Sequence, residues 1–436
     1  MSDQKKAQLK RQLERFYPLR PHPVQQALMT ARERGTRFCV VPAGRRSGKT
    51  EIAKRMLRKS VMQMEGPFYA AAPTREQAKK IWWKDLKDLT LSSIHPKQPN
   101  ESELIIYLPN GSELHVIGLD RPERFEGIPW LGGVVDEIAN CKPTAINENI
   151  LPALDTEDPR RPGYKAWGWF IGVPEGFNHF HDMVRLAPSL DGWEVFHWKS
   201  AEILSPETVA AARARMSARE FRQEYEASFE GSTGRIYEDY SADNHAAETI
   251  QPHERLLWAH DFNYTPLSSC ISVRRGESFY VLDEIVLESA VARQSAMEFV
   301  EKFSAHQNKS VVVYGDPAGR AGEKHGHQSS YTEIETVLRQ HGWSVVRNVS
   351  AAAPLIKDRQ NALRYMIKAA DGSVRLYVNP ARAPWSDKAL ATTQFKAGSA
   401  YQEDQSNKYQ HMSTAIGYMA HRERNKRGGG IADGVL

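Results

Sequence analysis

The stretch "VVPAGRRSGKT", Val40 to Thr50, constrains this chain more than any other part of it. Before it comes "TRFCVV" (Thr36–Val41), apolar and β-branched enough for a buried strand. After it comes "TEIAKRMLRKSVMQM" (Thr50–Met64), with apolar residues at helical spacing. A glycine-bearing loop between a strand and a helix is where backbone N–H groups can curl around phosphates. On this reading the cradle runs through Gly44, Arg45, Arg46, Ser47, Gly48 and Lys49. The Lys49 ammonium reaches the β/γ oxygens and the Thr50 hydroxyl serves Mg²⁺. Ala43 stands where an outer glycine is usual, and Gly44 beside it can supply the flexibility.

A phosphate loop also needs an acidic strand. "WLGGVVDE" (Trp130–Glu137) is a short apolar run ending in two carboxylates. Asp136 is placed to hold the Mg²⁺ and Glu137 to polarise the attacking water. Upstream, Gln25 in "RPHPVQ" offers the paired donor and acceptor that could read an adenine edge; the alternative is a helix-start glutamine in solvent. Between these elements, "FYAAAPTREQAKKIWW" predicts strand, loop and a helix capped by Thr74 with Gln77 three residues on. "ELIIYLPNGSELHVIGL" predicts a hairpin turned by Asn110-Gly111. Trp82 and Trp83 are read as core.

The second half starts afresh. "SPETVAAARARMSAREFRQEYEASF" (Ser205–Phe229) predicts a helical region with Ser205 as N-cap, and "EGSTG" after it reads as a linker. Then "LLWAHDF" is an apolar run ending at Asp261, and "SSCISVRRGESFYVLDEIVLE" is a strand pair turning at Arg275-Gly276. "SVVVYGDPAG" is a strand ending at Asp316, "YTEIETVLRQHGWSVV" is helix then strand, and "KYQHMSTAIGYMAH" is a late helix. Two strand-end aspartates in one α/β domain suggest a shared metal, Mg²⁺ or Mn²⁺, astride a phosphodiester. Asp283 and Glu284 are further carboxylates, on a segment that can equally continue an edge strand.

At 436 residues the chain is too long for one ordinary core, so two domains are expected. A composition 41% hydrophobic and 25% charged is that of a globular chain, and a net charge of +5 permits a polyanionic partner without demanding one. Three scattered cysteines, Cys39, Cys141 and Cys270, form neither a disulfide framework nor a zinc cluster. The N-terminal stretch lacks an apolar core and no run approaches the roughly 20 apolar residues that span a bilayer, so a soluble intracellular protein is expected, with no membrane partner.

With the phosphate loop, "VVDE" and this second domain in order, the chain resembles the large terminase subunit of tailed bacteriophages, from about Tyr17 to His421. The resemblance implies an α/β fold: an N-terminal P-loop ATPase domain (additional-strand, RecA-like) over 1–230, with a helical lid or linker region at about 180–230. A C-terminal ribonuclease H-like nuclease domain over 231–422 and a flexible basic and glycine-rich tail over 423–436 would follow. It implies ATP-driven translocation of double-stranded DNA through a portal protein into a procapsid, and Mg²⁺- or Mn²⁺-dependent cleavage of concatemeric DNA. Implied partners are DNA, the portal, a small terminase subunit and further copies of the chain in a ring, in the host cytoplasm and transiently at the portal vertex. Within the loop, Arg45, four residues before Lys49, matches the family's habit. "GVPEGFNHF" (Gly172–Phe180) resembles its coupling motif, and "HPVQ" its adenine motif. "HDFNYTP" and "YGDPAG" resemble the segments carrying its first two nuclease acids, Asp261 and Asp316.

Two departures stand out. The arginine that family members present to a neighbouring subunit's phosphates has no Arg-Gly pair here; in "RPERFEGIPW" Arg124 is the nearest substitute and Arg121 the next. The late helix has Thr414 where a third metal-binding aspartate is usual, and a hydroxyl is a poor ligand for a hard cation. Either the nuclease is weakened, or His411, Asp404 or Glu284 stands in. Outside this class, the competing readings are a DNA helicase or translocase whose second domain only grips nucleic acid, and a regulatory nucleotide-binding protein with an inactive nuclease fold.

Overall fold

The computed structural model describes residues 22–90, 95–155, 161–231, 234–263, 265–320, 329–396, 399 and 401–427. Tyr17, Ser232 and Thr233 of the expected linker, Tyr264 and tail residues 428–436 lie outside them. The chain divides into two compact units. One comprises Met1–Val209 with Arg222–Glu230, the other Ala210–Phe221 with Gly231–Leu436.

The first unit is built on seven strands: β1 (Phe38–Pro42), β2 (Pro67–Ala72), β3 (Ile105–Tyr107), β4 (Glu113–Gly118), β5 (Gly132–Val135), β6 (Trp167–Gly172) and β7 (Trp193–Val195). Their order is β3-β4-β2-β5-β6-β1-β7, and all pairs are parallel except the β3–β4 hairpin. A parallel sheet is covered on both faces, which is why β1 is apolar throughout. Cys39 and Val41 join the core on one side, Phe38 and Val40 the core on the other. Trp82 and Trp83 are both buried, as expected. The acid strand β5 does not touch the loop strand β1, because β6 is inserted between them. That insertion is the additional strand which the resemblance implies.

The second unit carries β8 (Leu256–Asp261), β9 (Leu267–Arg275), β10 (Ser278–Leu287), β11 (Ser310–Gly315), β12 (Ser344–Arg347) and β13 (Leu376–Val378), in the order β12-β11-β8-β9-β10-β13. β8, β9 and β10 form an antiparallel meander. β11 adds in parallel to the free edge of β8 and β12 to β11. Three antiparallel strands extended by parallel ones beside the first is the ribonuclease H arrangement. The C-terminal helix Gln410–Arg427 packs on β8, β9 and β11.

The Ser205–Phe229 segment, expected as a helical region, is two helices, Pro206–Arg213 and Ala218–Tyr225. The break has a tertiary cause. The Met216 carbonyl accepts from Ala370 N at 2.8 Å and Ser217 bridges to Ala369, so these backbone groups are spent on the second unit's body.

Candidate functional site

The loop after β1 leads into the helix Lys49–Gln63, capped at Gly48 in the left-handed region at φ 79°. Glycine adopts that conformation without strain, which explains its place before the lysine. Gly44 is needed for a different reason from the one expected. It does not take positive φ; instead a Cβ there would overlap Ser200 Oγ and lie 2.7 Å from the backbone atoms Ser200 N and Tyr225 O. Close backbone approach, not flexibility, excludes a side chain. The loop is braced from several elements: Ser200 Oγ donates to Arg45 O at 2.7 Å, Gly44 N to Trp198 O at 3.1 Å and Arg45 N to Glu224 O at 2.6 Å. Arg45 Nε pairs with Glu224 at 2.9 Å, while Arg46 is exposed.

Gln25 is only 3% exposed, and its Nε2 donates to the Ser47 carbonyl at 2.9 Å. The same carbonyl accepts from Trp198 Nε1 at 3.1 Å. Its amide donor is thus engaged with the loop, and the solvent alternative is ruled out.

At the centre, Thr50 Oγ1 donates to Asp136 Oδ2 at 2.7 Å, bringing together residues from the helix start and the end of β5. Lys49 is 7% exposed and has no carboxylate partner within salt-bridge range among the described residues. A hydroxyl and a carboxylate side by side are the hard oxygen donors that Mg²⁺ takes while keeping several waters, so the site fits that ion. Glu137 follows in the left-handed region at φ 54°, an uncommon conformation for a side-chain-bearing residue, with its N–H donating to Asp136 Oδ1 at 2.8 Å. Burial raises the Glu137 pKa, the neighbouring Asp136 charge raises it further, and Lys49 and Arg45 oppose this.

Directly after Glu137 the chain is tied to the segment resembling the coupling motif. Asn178 Nδ2 donates to Ala139 O at 2.9 Å and His179 Nε2 to Ile138 O at 3.0 Å. Gly172 ends β6 beside Pro42, and its carbonyl accepts from Ala43 N at 3.0 Å. One segment therefore touches the end of the loop strand and the exit of the acid strand. Arg124 and Arg121 are both exposed, on a short turn pinned by Phe125. Phe125 is fully buried against Tyr69 and Trp130, and Trp130 Nε1 donates to its carbonyl at 3.0 Å.

In the second unit, β8 and β11 are parallel with His260 opposite Gly315, so Asp261 and Asp316 emerge side by side. Both line a cleft of about 620 Å³ that Thr414, Asp404 and His411 also border. His411 Nδ1 lies 3.0 Å from Asp261 Oδ2 and Asn263 Nδ2 donates to the same oxygen at 3.2 Å. Two carboxylates supply donors suited to Mg²⁺ or Mn²⁺, yet among the described residues no three His, Cys, Asp or Glu side chains converge as a metal cluster.

Glu284 is not brought to this cleft, which corrects its placement as a metal ligand. Its Oε1 accepts from Trp385 N at 2.8 Å and its Oε2 from Ser386 N at 2.9 Å, capping the helix Pro384–Thr392. Asp283 is likewise committed, to Lys302 at 2.6 Å and Arg382 at 3.1 Å. Several contributors escaped sequence reasoning: Trp198, Ser200 and Glu224 around the loop, and Glu403 with Arg359 in the cleft. Nothing local marks them, since Trp198 meets Ser47 across 151 residues of chain.

No family model matches the chain. Among curated proteins it is 25% identical over 267 residues to "Terminase, large subunit" of Escherichia phage T5, covering 57% of this chain and 59% of that one. The chain thus spans less than two thirds of the length of that relative. Among solved structures it resembles the large terminase of a thermophilic bacteriophage (TM-score 0.58, 14% identity, 92% of this chain and 98% of that one). It also resembles the same protein in complex with ADP (TM-score 0.56, 14% identity, 92% and 98%) and with ATP-gamma-S (0.55, 15%, 92% and 98%). The resemblance to large terminase subunits and the two-part α/β fold are borne out.

Proposed function

We propose, from a chain that shares sequence and fold with large terminase subunits, that this protein is an ATP-hydrolysing DNA-packaging motor with a nuclease cleft. The observation that carries the reading is the Thr50–Asp136 contact of 2.7 Å beside the buried Lys49, on a chain whose second unit aligns Asp261 with Asp316. A helicase would carry a second RecA-like lobe, whereas the second sheet here opens with an antiparallel meander.

In the proposed cycle, the N–H groups from Gly44 to Lys49 hold the phosphates of ATP and the Lys49 ammonium offsets their charge. Thr50 and Asp136 would hold Mg²⁺, which when bound would offset the negative charge of the phosphates. Glu137 orients the attacking water and accepts its proton, a task its raised pKa suits. Arg124, exposed on its anchored turn, reaches the site of the adjacent copy in a ring. Loss of the γ-phosphate relaxes Glu137, and the Ile138 and Ala139 carbonyls pass the shift to Asn178 and His179.

The polymer moved is double-stranded DNA, gripped through phosphates rather than bases because packaging must tolerate any sequence. It passes through a portal protein into a procapsid in the host cytoplasm, with a small terminase subunit choosing the DNA. Asp261 and Asp316 form the centre that cuts the concatemer. A second reading, a packaging ATPase with an impaired nuclease, rests on Thr414.

The test compares the wild type with Lys49→Ala and Asp316→Ala in ATP hydrolysis and in nicking of supercoiled plasmid with Mg²⁺ or Mn²⁺. Loss of hydrolysis only in the first and of nicking only in the second supports two independent centres. Wild-type hydrolysis by Lys49→Ala refutes the motor, and absence of nicking by the wild type selects the second reading.

A further inference from the structure

We propose that the corner between the helices Pro384–Thr392 and Gln410–Arg427 holds the DNA backbone for the nuclease cleft. The Lys388 and Lys408 ammonium groups sit on phosphates of a duplex, and the Trp385–Tyr409 ring pair is their platform. This rests on the nuclease reading above and names the surface that delivers its substrate.

The corner is built by the fold. Trp385 lies in the first turn of its helix, where its N–H donates to Glu284 Oε1 at 2.8 Å, and Tyr409 is the last residue before the late helix. The two rings meet edge to face with centroids 4.7 Å apart, and both are half-buried against the core of the second unit. Asn407 ties the approach to Tyr409 back onto the first helix: its Nδ2 donates to Thr392 O at 3.2 Å and to Thr392 Oγ1 at 3.0 Å.

Two lysines lie on this platform. Lys408 Nζ is 5.1 Å from the Trp385 ring centre and 5.4 Å from that of Tyr409, and Lys388 Nζ is 5.5 Å from that of Tyr409. An aromatic face attracts an ammonium and supports its stem, so the charged heads are placed before a ligand arrives and lose less freedom when one binds. Both lysines are exposed, and among the described residues neither forms an ion pair. The carboxylates close to them in the chain are engaged elsewhere. Asp387 accepts from Tyr240 Oη at 2.8 Å and pairs with His245 at 3.0 Å, and Asp404 Oδ1 accepts from Ser406 N at 2.9 Å. Two like charges sharing the Tyr409 ring repel each other, and a bound anion removes that cost.

Position decides which anion. Gln410 and His411, the two residues after Tyr409, border the cleft that Asp261 and Asp316 line, and so does Lys396, an exposed lysine that also forms no ion pair among the described residues. A polyanion whose charges repeat along its length can rest on Lys388 and Lys408 and run on past Lys396 to the two aspartates. A duplex backbone has that form. Contacts to its phosphates fix register without reading bases, which suits a nuclease that must act on any packaged sequence.

The experiment uses the full chain without nucleotide and the double variant Lys388→Gln/Lys408→Gln, with thermal melting as the check on folding. Binding of a short fluorescent duplex is titrated across a range of salt in the Asp316→Ala background, and nicking of supercoiled plasmid with Mn²⁺ is resolved into kcat and KM. Loss of two phosphate contacts should flatten the slope of log K against log salt by about 1.8. It should raise KM for nicking about five- to tenfold, the scale of two exposed charge contacts, with kcat retained. Lys388→Arg/Lys408→Arg should hold slope and KM near the wild type. Unchanged slope and KM in a folded glutamine variant would overturn the proposal and leave the corner to solvent or to an acidic protein. A fall in kcat at constant KM would overturn it too, because the lysines would then shape the acids rather than hold DNA. A wild type that nicks no plasmid, like Asp316→Ala, would remove the nuclease reading; an unchanged slope would then remove the corner with it, and a flattened one would keep the corner as a DNA-binding surface.

Discussion

Gln25→Met separates two roles that one glutamine could play, because the structure says what its amide is bonded to. The substitution keeps the length of a buried side chain and removes the donor that meets Ser47 O at 2.9 Å. That carbonyl is not orphaned, since Trp198 Nε1 still reaches it at 3.1 Å. The cost is then one net hydrogen bond, about 1 kcal/mol, rather than the larger penalty for a stranded buried acceptor. If the loop carries the loss, phosphate binding weakens about fivefold and does so equally for ATP and GTP. Titration of fluorescent ATP and GTP analogues measures both. Trp198→Phe should act alike, and the double variant should exceed the sum of the two, because Ser47 O then has no donor. A loss confined to ATP would refute the bracing argument and make Gln25 a reader of the adenine edge.

Glu137→Gln should abolish ATP hydrolysis yet not weaken the fold. Its pKa is raised by burial, so the ionised form is the disfavoured one: the cost is absent below the ordinary carboxylate range and present above it. The variant should melt higher than wild type near about pH 8 and alike near about pH 4, and an unchanged or lower melting point at the higher pH would contradict this. Arg124→Ala should lower hydrolysis by about 10³- to 10⁵-fold in the assembled ring while leaving ATP affinity in place; lost ATP binding would put Arg124 in its own subunit's site. Glu284→Ala should cost the second unit about 2 kcal/mol in a denaturant titration by uncapping the helix Pro384–Thr392, with Mn²⁺ binding unchanged. A fall in Mn²⁺ affinity would return Glu284 to the cleft.

Much of this molecule is legible in the chain because its information is local. A buried strand followed by Gly48-Lys49-Thr50, and another ending in Asp136-Glu137, are short-range patterns whose backbone requirements few residues satisfy. The same holds for Asp261 and Asp316, each at the end of an apolar run. The hairpins at Asn110-Gly111 and Arg275-Gly276 formed where turn chemistry put them.

What the sequence could not carry are contacts between distant segments, where no residue advertises its partner. Glu284 looks like any strand carboxylate until the helix Pro384–Thr392 arrives to bind it. Gly44 looks like a source of flexibility until Ser200 and Tyr225 close on it. Residues 205–229 read as a helical region, but its break at Met216 and Ser217 is set by Ala369 and Ala370, which claim the backbone there. Thr414 gives no sign in the sequence of the Glu403 carboxylate that the fold sets against its hydroxyl. Local pattern determined the elements and the strand ends that carry the candidate acids; tertiary packing decided which carboxylates face a cleft and which hold the structure, because burial and partner choice belong to the assembled fold.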